Sequence, residues 1–246
     1  MSGIKRYTMI LALFTEVKSR WTVQEVSSAL DVPSSTAYRT IRELTQVNML
    51  EPAPGSSYRL GPAFIEFDRT TRLTDPLVQA GVPMLAEIAR HANVPCVVVL
   101  ARLYGNTVMC IADTSSERNT VQTSYERGLP RPLTRGATSK VILAQLPTRR
   151  LNKLLATAEK SDALAPTDNG AKFRNELSAI RKNGYCIARG EVDLGRVGIA
   201  VPIAVPEHGL HASLSLVLDA ASTTDEIERR MVLLLISSAS MIRDQI

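Results

Sequence analysis

Arg39 and Arg42 lie in a segment where Ala37, Ile41 and Leu44 recur at i, i+4 and i+7. At about 100° per residue that apolar trio shares one helix face. Ser35, Arg39, Arg42 and Gln46 then point the opposite way, flanked by Thr36 and Tyr38, and no acidic residue interrupts the row. Two guanidinium forks so placed can grip a guanine edge bidentately or clamp phosphate, and hydroxyls near a helix N-terminus suit phosphate. The chemistry open to this face is docking in a DNA groove. Ser34, Ser35, Thr36, Tyr38, Arg39 and Arg42 are its candidate contacts, joined by Thr22 at the start of the preceding helix and Arg59 on a following hairpin. Exposed helix faces are polar in most proteins, so the row alone does not separate a DNA reader from a plain helical hairpin.

Other chemistries have weaker signals. Nucleophilic catalysis wants a Ser or Cys with a His base in reach, and the three histidines, His91, His208 and His211, fall at a helix end, a turn and a strand start. Cys96, Cys110 and Cys186 sit in or beside apolar strands with no paired spacing, which reads as packed, reduced thiols. Metal ligation needs clustered His, Cys, Asp or Glu, and cofactor phosphates need a Gly-rich loop; neither spacing occurs. No enzyme, metal or cofactor is therefore expected.

The elements around the Arg39/Arg42 row sharpen it. Ile4–Val17 carries Tyr7, Ile10, Leu11, Phe14 and Val17 at helical spacing. Thr22 and Glu25 have the spacing of a capping box for a second helix ending at Leu30, and Asp31-Val32-Pro33 breaks it. Ser34 or Ser35 is expected to cap a third helix to about Gln46. Met49–Glu51 and Tyr58–Leu60 flank a Pro/Gly/Ser turn and read as a hairpin. Helix, helix-turn-helix and hairpin make a winged helix-turn-helix over residues 1–61. Pro62 suits the first turn of a linker helix over 62–73, within a linker to residue 75.

From Asp75-Pro76 onward the pattern is α+β. Helices are expected at 76–91, 137–145, 148–157, 172–183 and 223–244. Strands are expected at 95–102, 107–113, 119–125, 185–189, 197–205 and 211–219. Domain 76–246 is thus read as an antiparallel sheet of five or six strands flanked by helices.

Charge supports this only in part. Residues 1–62 hold seven Lys/Arg against five Asp/Glu, whereas 117–150 hold seven (Arg118, Arg127, Arg131, Arg135, Lys140, Arg149, Arg150) against two (Glu117, Glu126). DNA binding must rest on pattern, not bulk charge. Arg127, Arg131 and Arg135 precede the helix at 137, whose free N–H groups with Thr138 and Ser139 suit an anion such as a carboxylate; those arginines also fit solvated surface or oligomer contacts. No apolar run approaches the roughly 20 residues that span a bilayer. Met9–Phe14 after Lys5 and Arg6 resembles a leader, but Glu16 and Lys18 follow too soon. A cytoplasmic protein with no membrane partner is expected. A module whose winged helix contacts protein instead of DNA is the alternative.

The run Thr22–Val26 with Val32–Leu44, followed by Ser57–Gly61, resembles the DNA-binding domain of IclR-type regulators. Gly128–Leu133 leading into Ser139–Pro147 is similar to the ligand-domain signature of that family, and so is Ile180–Tyr185 with Glu191, Gly195 and Ile199–Pro202. Departures include Asp31 at a turn usually held by Gly, Thr134, Ser139, and Val217 after Ser213 and Ser215. The resemblance implies a homodimer or homotetramer, a GAF-like effector domain and control, read as repression, of a catabolic operon. It places the effector among Arg135, Ala137, Thr138, Ser139, Ala188, Asp193, Gly198, Ser213 and Ser215.

Overall fold

A computed structural model describes residues 3–117, 120–131, 133–158 and 170–246. Arg118, Asn119 and Pro132 lie outside the described residues, and with them the start of the strand expected at 119–125 and part of the Gly128–Leu133 run. Two compact units divide the chain, Met1–Thr74 and Asp75–Ile246.

The first unit runs α1 (Gly3–Leu11), β1 (Trp21–Thr22), α2 (Val23–Leu30), α3 (Ser34–Gln46), β2 (Leu50–Ala53), β3 (Ser57–Leu60) and α4 (Ala63–Thr74). Ile10, Phe14, Val26, Ala37, Ile41, Leu44 and Leu50 form its core. Each large apolar side chain so buried stabilises by about 1.5–3 kcal/mol. The helices set the packing and the antiparallel sheet β1-β3-β2 closes it.

Local chemistry explains the boundaries. Thr22 Oγ1 accepts from Glu25 N while the Glu25 side chain accepts from Thr22 N, a complete capping box on α2. Asp31 ends α2 in the left-handed region at φ 50°, ψ 52°, a conformation Asp tolerates. Gly61 is required: a Cβ there would stand 2.2 Å from the Asn48 carbonyl oxygen.

Two expectations fail here. Helix α1 stops at Leu11, not Val17: Thr15 N donates to Lys18 O, and Val17 is 98% exposed. Phe14 is buried from the loop instead. Neither Ser34 nor Ser35 caps α3, because Pro33 is the N-cap residue and no side chain caps the turn. The Ser34 hydroxyl lies 3.2 Å from that of Ser27 on α2.

The second unit runs α5 (Pro76–Ala92), β4 (Cys96–Tyr104), β5 (Thr107–Ser115), β6 (Pro130–Arg131), α6 (Ala137–Ala144), α7 (Thr148–Ala158), α8 (Gly170–Asn183), β7 (Cys186–Arg189), β8 (Arg196–Val205), β9 (Leu210–Asp219) and α9 (Asp225–Arg243). Its six-stranded antiparallel sheet has the order β6-β5-β4-β9-β8-β7. Helices cover both faces, so the central strands are buried on both sides. On β9, Leu210, Ala212, Leu214, Leu216 and Leu218 face α5 and α9, whereas Val217 belongs to the layer under α6, α7 and α8. By the two-residue period of a strand, His211, Ser213 and Ser215 share the Val217 face.

The strand expected at 119–125 is a correction: residues 120–125 form no strand, although Val121 and Tyr125 are buried. The pair with β5 comes instead from β6, with Val108 opposite Arg131. Apolar side chains at strand-like spacing packed here from a loop.

Candidate functional site

On α3 the buried residues are Ala37, Thr40, Ile41 and Leu44. Ser34, Ser35, Tyr38, Arg39 and Arg42 are exposed and Thr36 is half-buried. Among the described residues, Arg39 and Arg42 have no hydrogen-bond or ion-pair partner, so both guanidinium forks face solvent with all donors available.

The two accessory contacts differ. The Thr22 hydroxyl accepts from Glu25 N at 3.2 Å and donates to Glu25 Oε2 at 2.9 Å. Lys18 Nζ, 2.7 Å from Glu25 Oε1, is the largest influence holding the Glu25 carboxyl down at about 2; the Thr22 backbone and hydroxyl bonds add to it. Thr22 is thus engaged as a cap. Arg59 faces Glu51 across the hairpin, with Nε 2.6 Å from Oε1. Glu43, which sequence reasoning passed over, is half-buried at the flank of α3 and accepts from the Tyr7 hydroxyl of α1. That bond raises the Tyr7 phenol above its ordinary pKa and keeps it a donor.

In the second unit a small, half-open pocket sits where α6 begins. Its lining includes Tyr125, Gly136, Ala137, Thr138, Ala188, Gly198 and Val217, with the β7–β8 connection (Gly190–Asp193) across it. Its volume is about 30 Å³, room for one or two waters and no more. Of the expected effector residues, Ala137, Thr138, Ala188, Asp193 and Gly198 come together here. Ser215 stands just behind, its Oγ 3.0 Å from Thr138 Oγ1. Ser139 is fully buried in α6 but outside the lining, and Arg135 is exposed outside it. Ser213 is fully buried, also outside it, and its Oγ has no hydrogen-bond partner among the described residues.

The N-terminus of α6 already holds a carboxylate. Gly136 N donates to Glu191 Oε2 at 2.8 Å, and Lys140 Nζ donates to Glu191 Oε1 at 2.6 Å and to Glu176 Oε1 at 2.7 Å. Burial opposes the Lys140 charge, but the bonds from Glu176 and Glu191 outweigh it and raise the pKa. Asp193 is clasped from the other side by Thr123 Oγ1 at 2.8 Å, Ser124 N at 3.0 Å and Ser124 Oγ at 2.6 Å. Burial opposes this ionisation too; the Ser124 and Thr123 bonds prevail and lower the pKa. Gly136, at φ +82°, leaves room for the connection: a Cβ would come 2.7 Å from Val192 Cγ2.

Two of the three upstream arginines are engaged within the unit. Arg127 Nε donates to Ile111 O at 2.9 Å, and Arg131 donates to Ser124 O and Oγ at 3.1 and 2.8 Å. The sequence signal for Lys140 is a lone charge in the otherwise uncharged run Ala137–Ala144, and its burial in the structure demands carboxylate partners. Tyr125, Gly136 and Val192 carried no such signal.

Burial pushes Cys96 up to about 11 and Cys110 and Cys186 up to about 12, values that suit packed thiols and not nucleophiles. Burial, then Arg150, lowers the His211 pKa and keeps its ring neutral. Among the described residues no group of three or more His, Cys, Asp or Glu is placed to hold a metal ion, and no helix is long and apolar enough to cross a membrane.

The chain is similar along most of its length to known regulators. It is 23% identical over 220 residues to the HTH-type transcriptional regulator KipR of Bacillus subtilis, covering 89% of this chain and 86% of that one. It is 21% identical over 242 residues to the Pca regulon regulatory protein of Pseudomonas putida, covering 97% and 82%. Among solved structures, an ICLR transcriptional regulator from Silicibacter sp. TM1040 shares its fold at TM-score 0.83 and 19% identity, with 99% and 95% covered. An IclR homolog complexed with 4-hydroxybenzoate from Microbacterium hydrocarbonoxydans does so at 0.79 and 23%, with 99% and 98% covered. The IclR helix-turn-helix domain matches residues 3–54, over the Arg39/Arg42 helix. The bacterial transcriptional regulator IclR C-terminal domain matches 74–244, over the sheet and the pocket at the start of α6, and with both matches in order this chain belongs to the IclR family of transcriptional regulators.

Proposed function

We propose that the chain is a cytoplasmic repressor of a catabolic operon that binds operator DNA through α3 and is controlled by a small carboxylate-bearing effector. In this reading residues 1–61 bind DNA, 62–75 connect, and 76–246 bind the effector and join copies into a homodimer or homotetramer. Ser34, Ser35, Thr36, Tyr38, Arg39 and Arg42 face the major groove. Arg59 reaches a phosphate by releasing Glu51, and Thr22 supports α2. No catalytic step is assigned to any residue.

The observation that carries the DNA part is the pair of exposed, unpartnered guanidinium groups on α3. The observation that carries the effector part is Glu191, an internal carboxylate seated on the Gly136 N–H and on Lys140. An organic acid can take that seat only by displacing the Glu191 carboxylate, and the pocket beside it needs the Gly190–Asp193 connection to move, because its interior holds little more than a water. The bound 4-hydroxybenzoate of the Microbacterium hydrocarbonoxydans homolog makes aromatic acids the first candidates.

Two measurements test the reading. A mobility shift with the intergenic DNA upstream of the protein's own gene should give a band that weakens steeply between two salt concentrations. Thermal melts with 4-hydroxybenzoate and with its neutral amide should show a Tm rise for the acid. No shifted band sinks the DNA part, and a response to the amide alone sinks the carboxylate part.

A further inference from the structure

Glu43 lies four residues after Arg39 on α3, a separation at which side chains of opposite charge pair along a helix surface. It also directly follows Arg42. An acidic group there threatens the proposed DNA face twice, by engaging Arg39 and by setting a negative charge near phosphate. Neither guanidinium is engaged among the described residues. The Glu43 carboxylate instead accepts from the hydroxyl of Tyr7, 36 residues earlier on α1. Tyr7 is half-buried and packs against the cluster in which Ile10 of α1 meets Ala37, Ile41 and Leu44 of α3, so its ring is held where its hydroxyl reaches α3.

We infer that Tyr7 is a positioning residue for DNA binding: its hydroxyl draws the Glu43 carboxylate toward α1 and leaves the Arg39 guanidinium unpaired for the nucleic acid. This rests on the DNA-binding reading of α3. Phenol and carboxylate form one unit, neutral donor to charged acceptor, and such bonds are among the stronger ones available to side chains. Without the hydroxyl, the cation in helical register with Glu43 is Arg39, and that pairing then competes with DNA for the guanidinium.

The test is a double-mutant cycle in the full chain, Tyr7→Phe and Glu43→Gln, read by titration of the upstream intergenic duplex at several salt concentrations. Tyr7→Phe should weaken binding roughly two- to fourfold, the size of one surface ion pair per recognition helix over one or two helices. Its salt slope should fall by up to about 1 per helix, because an Arg39 held by Glu43 neutralises no phosphate. Glu43→Gln alone should bind at least as tightly as the wild type. Tyr7→Phe added to Glu43→Gln should cost nothing further. Unchanged binding by Tyr7→Phe, weaker binding by Glu43→Gln, or an equal loss in both backgrounds overturns the proposal, the last marking Tyr7 as a packing residue only. Wild-type protein that fails to shift the duplex at all overturns the DNA-binding reading, and this one with it; a wild-type shift with a flat cycle overturns this one alone.

Discussion

Glu191 accepts a 2.8 Å hydrogen bond from the Gly136 N–H, so the start of α6 is closed by a carboxylate from 55 residues further along the chain. The other oxygen of that carboxylate accepts from Lys140, whose side chain is only 7% exposed. An effector carboxylate competing for these donors meets both the occupied seat and the repulsion of Glu191 itself.

Glu191→Gln should therefore have two opposed effects. Lys140 keeps Glu176 but loses half of its compensation, which should lower stability by about 1–3 kcal/mol. Removing the charge should strengthen the binding of 4-hydroxybenzoate by roughly tenfold, about 1.4 kcal/mol. Calorimetric titration of the variant and the wild type decides it. Equal or weaker binding by the variant means that the effector does not use the Glu191 seat.

Asp193 gives the same connection a pH dependence with a definite sign. Its folded pKa lies below the ordinary 3.8, so its contribution is present at neutral pH and is lost as pH falls below about 4 toward the depressed value. Asp193→Asn should lower Tm at neutral pH, since Asn cannot accept all three bonds from Thr123 and Ser124, and should flatten the acid limb. Melts of both proteins between about pH 3 and pH 7 give the comparison. Parallel acid limbs would show that other carboxylates govern the loss.

What the sequence made legible, and what it hid, divides by range. Thr22 and Glu25 announce the start of α2 because a capping box lies within four residues. The Ala37/Ile41/Leu44 period orients α3 for the same local reason. The end of α1 was hidden because Phe14 is apolar and buried without being helical, and periodicity cannot distinguish the two. Strands β1 and β6 have two residues each, too few for any alternation to register. The ion pairs beside the pocket were hidden most deeply. Lys140 meets Glu176 and Glu191 at separations of 36 and 51 residues, and only the finished sheet, with α6 laid across it, brings them together.

Arg39 and Arg42 are exposed and have no partner among the described residues, so each should be replaceable by Ala with less than about 0.5 kcal/mol change in stability. DNA binding should respond very differently. Loss of a guanine contact should cost about 1–3 kcal/mol on the operator and relax its specificity, whereas loss of a phosphate contact should weaken all duplexes alike and reduce the salt slope by about 1. Titrations against operator and unrelated duplex at two salts separate the cases. Two alanine variants that melt and bind like the wild type would remove α3 from the interface.

Ser215 stands behind the pocket wall on β9, and Ser213 shares its face of the strand but differs in one respect. Ser215 Oγ lies 3.0 Å from the Thr138 hydroxyl and also donates to Val99 O at 3.4 Å, whereas Ser213 Oγ has no partner among the described residues. A buried hydroxyl without a bond costs stability, and its removal is neutral or favourable; a bonded one contributes about 1 kcal/mol. Ser215→Ala should therefore destabilise by about that amount, while Ser213→Ala should leave stability unchanged or raise it. The same Ser213→Ala variant should bind 4-hydroxybenzoate more weakly than the wild type if an opened cavity brings the effector to this hydroxyl. Chemical denaturation with and without the acid measures both quantities. A clear loss of stability in the ligand-free Ser213→Ala protein would show that the hydroxyl is already satisfied, and would remove the reason for assigning it to an effector.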